Sequence, residues 1–213
     1  MPTISSSNEI RSDFDAIATL MPERDRLGPH EAWLLRQLPA RRGTALEIGC
    51  GVGHVARRLA GAFDHVLAID LSPGMIDEAK RRTSSSIEFV CADMFDWLRS
   101  HADTYDCIVT IGTLHHVDLG EALREMALAL KPGGRLLVLD LLSRRNPVVN
   151  AVAFALGLRL TTPWRLRRAY WRHGRNETYL TIGEVERIAR EQLTGAHVRA
   201  HLLFRYSIVW DKR

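Results

Sequence analysis

The sequence contains a glycine-rich segment of the kind that forms a ligand seat. Glu47 stands two residues before the pattern Gly49-x-Gly51-x-Gly53, which closes an apolar run and opens a helical one. Glycines let the backbone turn sharply and let a ligand approach main-chain atoms with no Cβ in the way. The letters from Gly51 to Ala56 also fit the dinucleotide pattern G-x-G-x-x-[GA]. The segment therefore predicts a ligand seat, against the alternative of a tight turn that binds nothing.

A second carboxylate stands where doubly wound folds place one for a nucleotide. Asp70 ends the next apolar run, HVLAID, 21 residues after Gly49. A carboxylate at about 20 residues from the glycine loop can accept hydrogen bonds from both hydroxyls of a ribose. Capping of the next helix is the alternative role, but Ser72 is better placed as the cap because Pro73 follows it.

Histidines supply the candidate catalytic bases. His115 and His116 follow the fourth apolar run. Neighbouring side chains on a loop point apart, so we expect at most one to face a reacting molecule, with His116 preferred. The alternative is that one packs under the sheet and the other is solvated.

A second pair of histidines is a candidate for metal binding. On a strand, His197 and His201 would lie about 13 Å apart at ~3.3 Å per residue, too far to share a metal, and we predict no metal site.

The elements that position these residues follow from alternating apolar and helical segments. The apolar runs are nearly continuous rather than alternating, which predicts parallel strands covered on both faces. They occupy residues 44–49, 65–70, 87–91, 105–111 and 134–141. We expect helices over residues 9–20, 29–38 and 181–193, and a final antiparallel pair within residues 196–210. Helix caps are predicted at Ser72, Asp118 and Thr181.

Further strand ends complete a family pattern. The third run leads into Asp93-Met94, the fourth into Gly112-Thr113 and the histidine pair, and residues 130–138 read LKPGGRLLV. With the acid and glycine segment, this series resembles the class I S-adenosylmethionine-dependent methyltransferases over roughly residues 40–142. The resemblance implies an α/β fold, a doubly wound Rossmann-like sheet of seven strands, mostly parallel with an antiparallel last strand. A dehydrogenase, the rival interpretation, would not need the final hairpin.

The resemblance also implies a cofactor and its contacts. The cofactor would be S-adenosyl-L-methionine, with its methionine part at the glycine loop and Glu47, and its ribose at Asp70. Leu71 would touch the adenine face, Asp93 would take the adenine amino group beside Met94, and the end of the fourth strand would close the site. The full implied set is Glu47, Gly49, Cys50, Gly51, Gly53, Asp70, Leu71, Asp93, Met94, Ile111 and Gly112.

The chain is expected to form one domain with an insertion. Residues 1–40 would be helices forming part of an acceptor cap, 41–142 the cofactor-binding core, and 177–213 a helix and strands completing the sheet. Residues 143–176 form an Arg-rich helical insertion; from residue 141 to 176 there are eight Arg and no acid. Three interpretations stay open: a solvated Arg face, a lid that selects an anionic acceptor, or a surface that docks on an acidic membrane or carrier protein.

Composition limits the function classes. Three cysteines are too few and odd in number for a disulfide framework, which predicts a reducing, cytoplasmic compartment. No stretch reaches 18 apolar residues, so no membrane span is expected, and no nucleic-acid reading motif is seen. Together with these exclusions, the resemblance to the methyltransferases implies methyl transfer to oxygen or nitrogen of a small molecule, of which a secondary metabolite is one class. The alternatives are a non-catalytic cofactor-binding regulatory module and a methyltransferase acting on a macromolecule.

Overall fold

The computed structural model describes residues 7–21, 27–84, 86–143, 179–202 and 204–213. The predicted insertion at 143–176 lies, apart from its first residue, outside the described residues, as does the start of the chain. The elements in chain order are α1 Ser7–Ala18, α2 Pro29–Leu35, β1 Thr44–Ile48, α3 His54–Ala60, β2 His65–Asp70, α4 Pro73–Arg81, β3 Ile87–Cys91, α5 Met94–Arg99, β4 Tyr105–Ile111, a 3-10 turn Leu114–His116, α6 Leu119–Ala129, β5 Leu130–Leu141, α7 Ile182–Gln192, β6 His197–His201 and β7 Arg205–Asp211.

In the described part of the chain, seven strands form one sheet in the order β3-β2-β1-β4-β5-β7-β6. Strands β1 to β5 pair in parallel, whereas β7 runs antiparallel to both β5 and β6. The predicted fold class is confirmed. The connections proceed outward from β1 in one direction and from β4 in the other, which opens a crevice at the carboxyl ends of these two central strands.

Apolar layers cover both faces of the sheet, as the continuous strand runs predicted. Leu59 of α3 belongs to one layer and Leu123 of α6 to the other. Successive residues of β5 alternate between them, with Leu137 in the first layer and Val138 in the second. Because side chains on a strand alternate between faces, a strand buried on both sides must be apolar at nearly every position. An ionisable residue in such a strand is therefore conspicuous.

The predicted caps are confirmed. The Ser72 side chain accepts a hydrogen bond from Met75 N, and Asp118 accepts one from Glu121 N. Thr181 forms a capping box with Glu184 at the start of α7. These short polar side chains satisfy amide groups that a helix leaves without partners at its first turn.

Some element boundaries differ from the prediction. Helix α1 begins and ends two residues earlier than expected, and α2 ends at Leu35 rather than at residue 38. Strand β5 starts at Leu130, which pairs with Tyr105 before a register shift brings Arg135 opposite Cys107. The Lys-Pro-Gly-Gly sequence was expected to end α6 ahead of β5, but α6 ends at Ala129 and these four residues lie within β5. Among the described residues, no helix is long and apolar enough to cross a membrane.

Candidate functional site

The glycine loop after β1 lies at the crevice. Gly49 has φ of 70° and Gly51 has φ of 51°, both in the left-handed region that favours glycine. A Cβ on Gly49 would collide with the Thr113 side chain, so this glycine brings the loop against the end of β4. A Cβ on Gly51 would meet no atom of the described residues within 4 Å. Gly49 is thus required by packing, whereas Gly51 borders open space.

Glu47 is buried with one carboxylate oxygen unsatisfied. Its side chain is on β1, the residue is 3% exposed, and Oε2 has no hydrogen-bond partner among the described residues. Burial raises the pKa of this carboxyl well above its usual value, and the charge of Asp70 adds to the effect. The amide of Ala56 and the charge of Arg57 act in the opposite direction. An oxygen of this kind calls for a hydrogen-bond donor, and a ligand amino group would supply one.

Asp70 connects the glycine loop to the start of α4. Its Oδ2 accepts a hydrogen bond from Gly51 N at 2.8 Å, and its Oδ1 accepts one from Ser72 N at 2.9 Å. Burial raises the pKa of Asp70, although these backbone hydrogen bonds oppose the rise. The helix cap itself is Ser72, as predicted. Each carboxylate oxygen has more than one lone pair, so Asp70 can hold the loop and still accept hydroxyl groups.

The remaining residues of the predicted cofactor set lie at neighbouring strand ends. Asp93 follows β3 and caps α5, because its Oδ1 accepts hydrogen bonds from Phe95 N and Asp96 N. This capping role was not predicted from the sequence. Gly112 follows β4 with φ of 68°, and a Cβ on it would meet nothing within 4 Å. Their neighbours in the set are Cys50, whose thiol is buried, Met94, which is buried, and Leu71 and Ile111, which are half-buried.

The two histidines do not point apart, which corrects the sequence prediction. Their ring centroids are 3.9 Å from each other. The reason is that His115 and His116 lie in a 3-10 turn rather than in an extended loop. The alternative with one solvated histidine is also wrong, since the side chain of His115 and the residue His116 are each 9% exposed. His116 also packs edge-on against Phe14 of α1, with centroids 5.6 Å apart.

Sequence reasoning missed the carboxylate that holds His115. Asp140 near the end of β5 places Oδ1 2.6 Å from His115 Nδ1, and its Oδ2 accepts a hydrogen bond from His115 N at 3.1 Å. The residue is 1% exposed. A visible signal could have found it, because Asp140 is the acid in the otherwise apolar segment LLVLDL.

Helix α1 covers the glycine loop and the start of α4. Asp15 accepts hydrogen bonds from Ser72 Oγ at 2.5 Å and from Gly74 N at 2.9 Å. Ile17 forms an apolar cluster with Val52 of the glycine loop and with residues of α1 and α4. The expected acceptor cap at residues 1–40 thus has one of its helices beside the crevice, and its role stays a prediction.

No group of His, Cys, Asp and Glu in the described segments could hold a metal ion.

The residues present fit a nucleoside carrying an amino-acid tail. Within the described segments, Glu47 Oε2 has no donor, Gly51 borders open space, and Asp70 accepts a hydrogen bond from the same loop. All three lie at the carboxyl edge of β1 and β2, where doubly wound folds bind their ligands. Asp70 also raises the pKa of Glu47, so the two carboxylates are close enough to interact.

Comparisons with known proteins agree with this geometry. A family profile described as a methyltransferase domain matches residues 45–134. A ubiquinone/menaquinone biosynthesis C-methyltransferase from Hahella chejuensis is 29% identical over 70% of this chain and 66% of its own length. A 2-phytyl-1,4-naphtoquinone methyltransferase from Nostoc punctiforme is 31% identical over 68% of this chain and 70% of its own length. The chain thus spans about two thirds of these relatives.

Solved structures share the fold. Geranyl diphosphate C-methyltransferase from Streptomyces coelicolor A3(2) superposes with a TM-score of 0.69, at 13% identity, and covers all of both chains. The DhpI complex with SAH superposes with a TM-score of 0.64, at 22% identity, over 98% of this chain and 99% of that one. At these identities, the likeness concerns the fold alone.

Proposed function

Because this chain belongs to the class I S-adenosylmethionine-dependent methyltransferases, as its motifs predicted, we propose that it methylates a ring carbon of a small hydroxylated aromatic molecule of the quinol type. The cofactor of the family is S-adenosylmethionine. The relative from Hahella chejuensis is named a quinone-pathway C-methyltransferase, and the one from Nostoc punctiforme a naphthoquinone methyltransferase. These names support the acceptor class and the carbon atom, whereas the observation that supports methyl transfer itself is the buried Glu47 carboxylate together with a buried histidine pair at the carboxyl ends of the central strands.

The cofactor seat is proposed as follows. Glu47 Oε2 accepts hydrogen bonds from the amino group of the methionine part, and the open face of Gly51 lets that part approach the main chain. Asp70 accepts the ribose hydroxyls. Asp93 accepts a hydrogen bond from the adenine amino group through Oδ2, since both capping hydrogen bonds end on Oδ1. The seat is completed by Gly49, Cys50, Gly53, Leu71, Met94, Ile111 and Gly112.

The protein's part in the chemistry is positioning and proton removal. When bound, S-adenosylmethionine supplies a methyl group on a positively charged sulfur, which leaves as a neutral thioether. The chain holds the acceptor in line with that methyl at ~3–3.5 Å and excludes water, which contributes up to ~7–11 kcal/mol. A hydroxylated acceptor must also lose a proton, so a base beside the crevice is useful. His115 and His116 are the candidates there.

Methylation at oxygen or nitrogen, as expected from the sequence, is the second candidate. The contact between His115 and the buried Asp140 is equally compatible with it, because a histidine held in this way removes an O–H proton whether the oxygen or a ring carbon then takes the methyl group. The two candidates share the cofactor seat and the base. They differ in the atom that forms the new bond to carbon.

A labelled-product assay tests the proposal. The protein is incubated with S-adenosylmethionine carrying a 13C-labelled methyl group and a panel of naphthoquinols, phenols and amines. We expect one aromatic acceptor to gain a single labelled methyl group by mass spectrometry, with the NMR shift of a methyl on carbon. The shift of a methyl on oxygen or nitrogen would support the second candidate. No labelled product across the panel would overturn a small aromatic acceptor and favour a macromolecular acceptor or a binding role.

A further inference from the structure

Resting on the proposed function, we propose that Asp140 is a positioning residue that makes His115 the proton acceptor of the reaction. The starting observation is a carboxylate placed in an apolar layer. Asp140 is 1% exposed on β5, where the four preceding strand residues are Leu136, Leu137, Val138 and Leu139. A buried ionised carboxylate is strongly unfavourable unless hydrogen bonds compensate its lost hydration.

Two of the three hydrogen-bond contacts described for Asp140 join it to His115. Oδ1 accepts from Leu141 N at 2.6 Å and lies 2.6 Å from His115 Nδ1, while Oδ2 accepts from His115 N at 3.1 Å. The carboxylate therefore binds His115 at both its backbone and its ring. This arrangement fixes the rotation of the imidazole relative to the end of β4.

The same contact determines the tautomer. A carboxylate accepts hydrogen bonds and donates none, so the short contact requires a proton on His115 Nδ1. The lone pair of the neutral ring is then on Nε2, the nitrogen remote from Asp140. In other enzymes a buried carboxylate prepares a histidine as a general base in this way and stabilises the imidazolium that forms.

His116 is placed differently. Its ring lies against the His115 ring at 3.9 Å and edge-on to Phe14 of α1 at 5.6 Å. These contacts make it part of the wall around His115. The ring of Tyr179 also lies close to His115, with centroids 5.4 Å apart. The buried carboxylate of Asp140 thus orients the His115 ring, and the ring of His116 packs beside it.

The methyl transfer releases one proton, which passes through His115. The acceptor O–H gives its proton to His115 Nε2, and the electron pair of the acceptor forms the new bond to the methyl carbon as the S–C bond breaks with its pair on sulfur. The Nδ1 proton stays in place, so the histidine and Asp140 become a neutral ion pair. For a ring carbon, the displaced ring hydrogen returns to the acceptor oxygen by tautomerisation. His115 then releases its proton to water.

The first test needs no catalysis. 15N NMR of the free protein, with the signal assigned by its loss in His115→Gln, is expected to show His115 protonated on Nδ1 and unprotonated on Nε2 at a pH where the ring is neutral. Asp140→Asn is expected to abolish this preference. A wild-type His115 protonated on Nε2 would overturn the positioning role. Because this readout requires no acceptor, it remains decisive if the proposed function fails.

The second test is kinetic. Asp140→Asn is expected to lower kcat by about 100-fold or more, as for loss of a general base, with KM for the acceptor within about twofold. Asp106→Asn is the matched control, because Asp106 is also 1% exposed but lies at the opposite edge of the sheet with Arg41 and Lys131. It should lower stability and leave kcat unchanged. Equal kcat losses in both folded variants, or none in Asp140→Asn, would overturn the proposal.

Discussion

At the scale of single residues, the burial of Glu47 affects both ligand binding and the stability of the free protein. Its place two residues before the glycine pattern predicted a ligand contact, but the burial of Oε2 depends on how the α3 segment packs over β1. No local sequence signal describes that packing. An ionised carboxylate with an unsatisfied oxygen destabilises the free protein and leaves a strong acceptor for a ligand.

We expect Glu47→Gln to stabilise the free protein and weaken cofactor binding. Burial raises the pKa of Glu47 in the folded state, so ionisation on raising the pH lowers the free energy of unfolding of the wild type. That decrease begins above the ordinary carboxyl pKa and ends above the raised folded value. The variant lacks this decrease, and its loss of a charged hydrogen bond should reduce cofactor affinity by about tenfold or more.

Thermal melts at about pH 5 and about pH 8, with calorimetric titration of S-adenosylhomocysteine, check both parts of this prediction. Glu88→Gln is the matched control, since Glu88 is exposed on β3 and should change neither quantity. A variant that binds the ligand like the wild type would remove Glu47 from the seat.

The presence of the two histidines could be predicted from the sequence, but their arrangement could not. Their presence after the fourth strand was visible in the sequence, and so was an acid in the fifth apolar run. The close contact of their rings was not, because it depends on the 3-10 turn at Leu114–His116. The contact between His115 and Asp140 joins residues 25 positions apart, which requires the parallel pairing of β4 with β5.

At the scale of elements, strand and helix positions were predictable because they rest on local patterns. Polar caps such as Ser72 and Thr181 mark helix starts, and apolar runs mark buried strands. The docking of α1 on the start of α4 was not predictable, since it depends on long-range contacts from Asp15 to Ser72 and Gly74. The early start of β5 has a similar cause, namely pairing of Leu130 with Tyr105.

The glycine loop gives an element-scale prediction with an internal control. Gly51 and Gly133 both have positive φ, and at neither would a Cβ meet an atom within 4 Å. Alanine at either position should cost about 1–2 kcal/mol of stability from backbone strain. Gly51→Ala should also reduce binding of S-adenosylhomocysteine by about tenfold or more, because its Cβ occupies the space above the loop. Gly133→Ala lies at the opposite edge of the sheet and should bind normally.

Urea unfolding and calorimetry on the two variants measure the two effects separately. Equal binding by both variants would contradict the assignment of the open space above Gly51 to the cofactor. Equal stability losses with unequal binding would support it.

At the scale of the whole molecule, ionisable residues behave differently at the carboxyl and the amino ends of the parallel strands. At the carboxyl ends of the parallel strands, the pKa values of Glu47 and Asp70 are raised. At the opposite ends, Asp106 and Asp211 form ion pairs. Burial alone would raise the pKa of Asp106, but hydrogen bonds from Thr44 N and Lys131 and the charges of Lys131 and Arg41 hold it below its usual value. The hydrogen bond from Arg135 lowers the pKa of Asp211.

These lowered values predict acid sensitivity. A carboxyl with a lower pKa in the folded state contributes stability above its ordinary pKa and loses it as the pH falls through the lowered value. Urea unfolding at about pH 7, 4 and 3 should show this loss, and Asp106→Asn should reduce it. The effect of Asp211 is expected to be smaller, because its ion pair is partly exposed and screened by water. An acid response unchanged in Asp106→Asn would contradict this explanation.

The basic insertion is the other feature at this scale. Its eight Arg give the segment from 141 to 176 a charge of +8 and leave the remainder at −4, since 21 basic residues oppose 25 acids there. Deletion of residues 147–176 should retain binding of S-adenosylhomocysteine and abolish turnover if the segment is the predicted lid. Turnover equal to that of the full chain would reject the lid and favour the solvated Arg face.

The location of the cofactor is tested most directly by a crystal structure of the protein grown with S-adenosylhomocysteine. We expect its amino group beside Glu47 Oε2, its ribose hydroxyls at Asp70, and its amino-acid part over the open face of Gly51. Density for the ligand at another edge of the sheet, or no bound ligand at saturating concentration, would contradict the proposed seat.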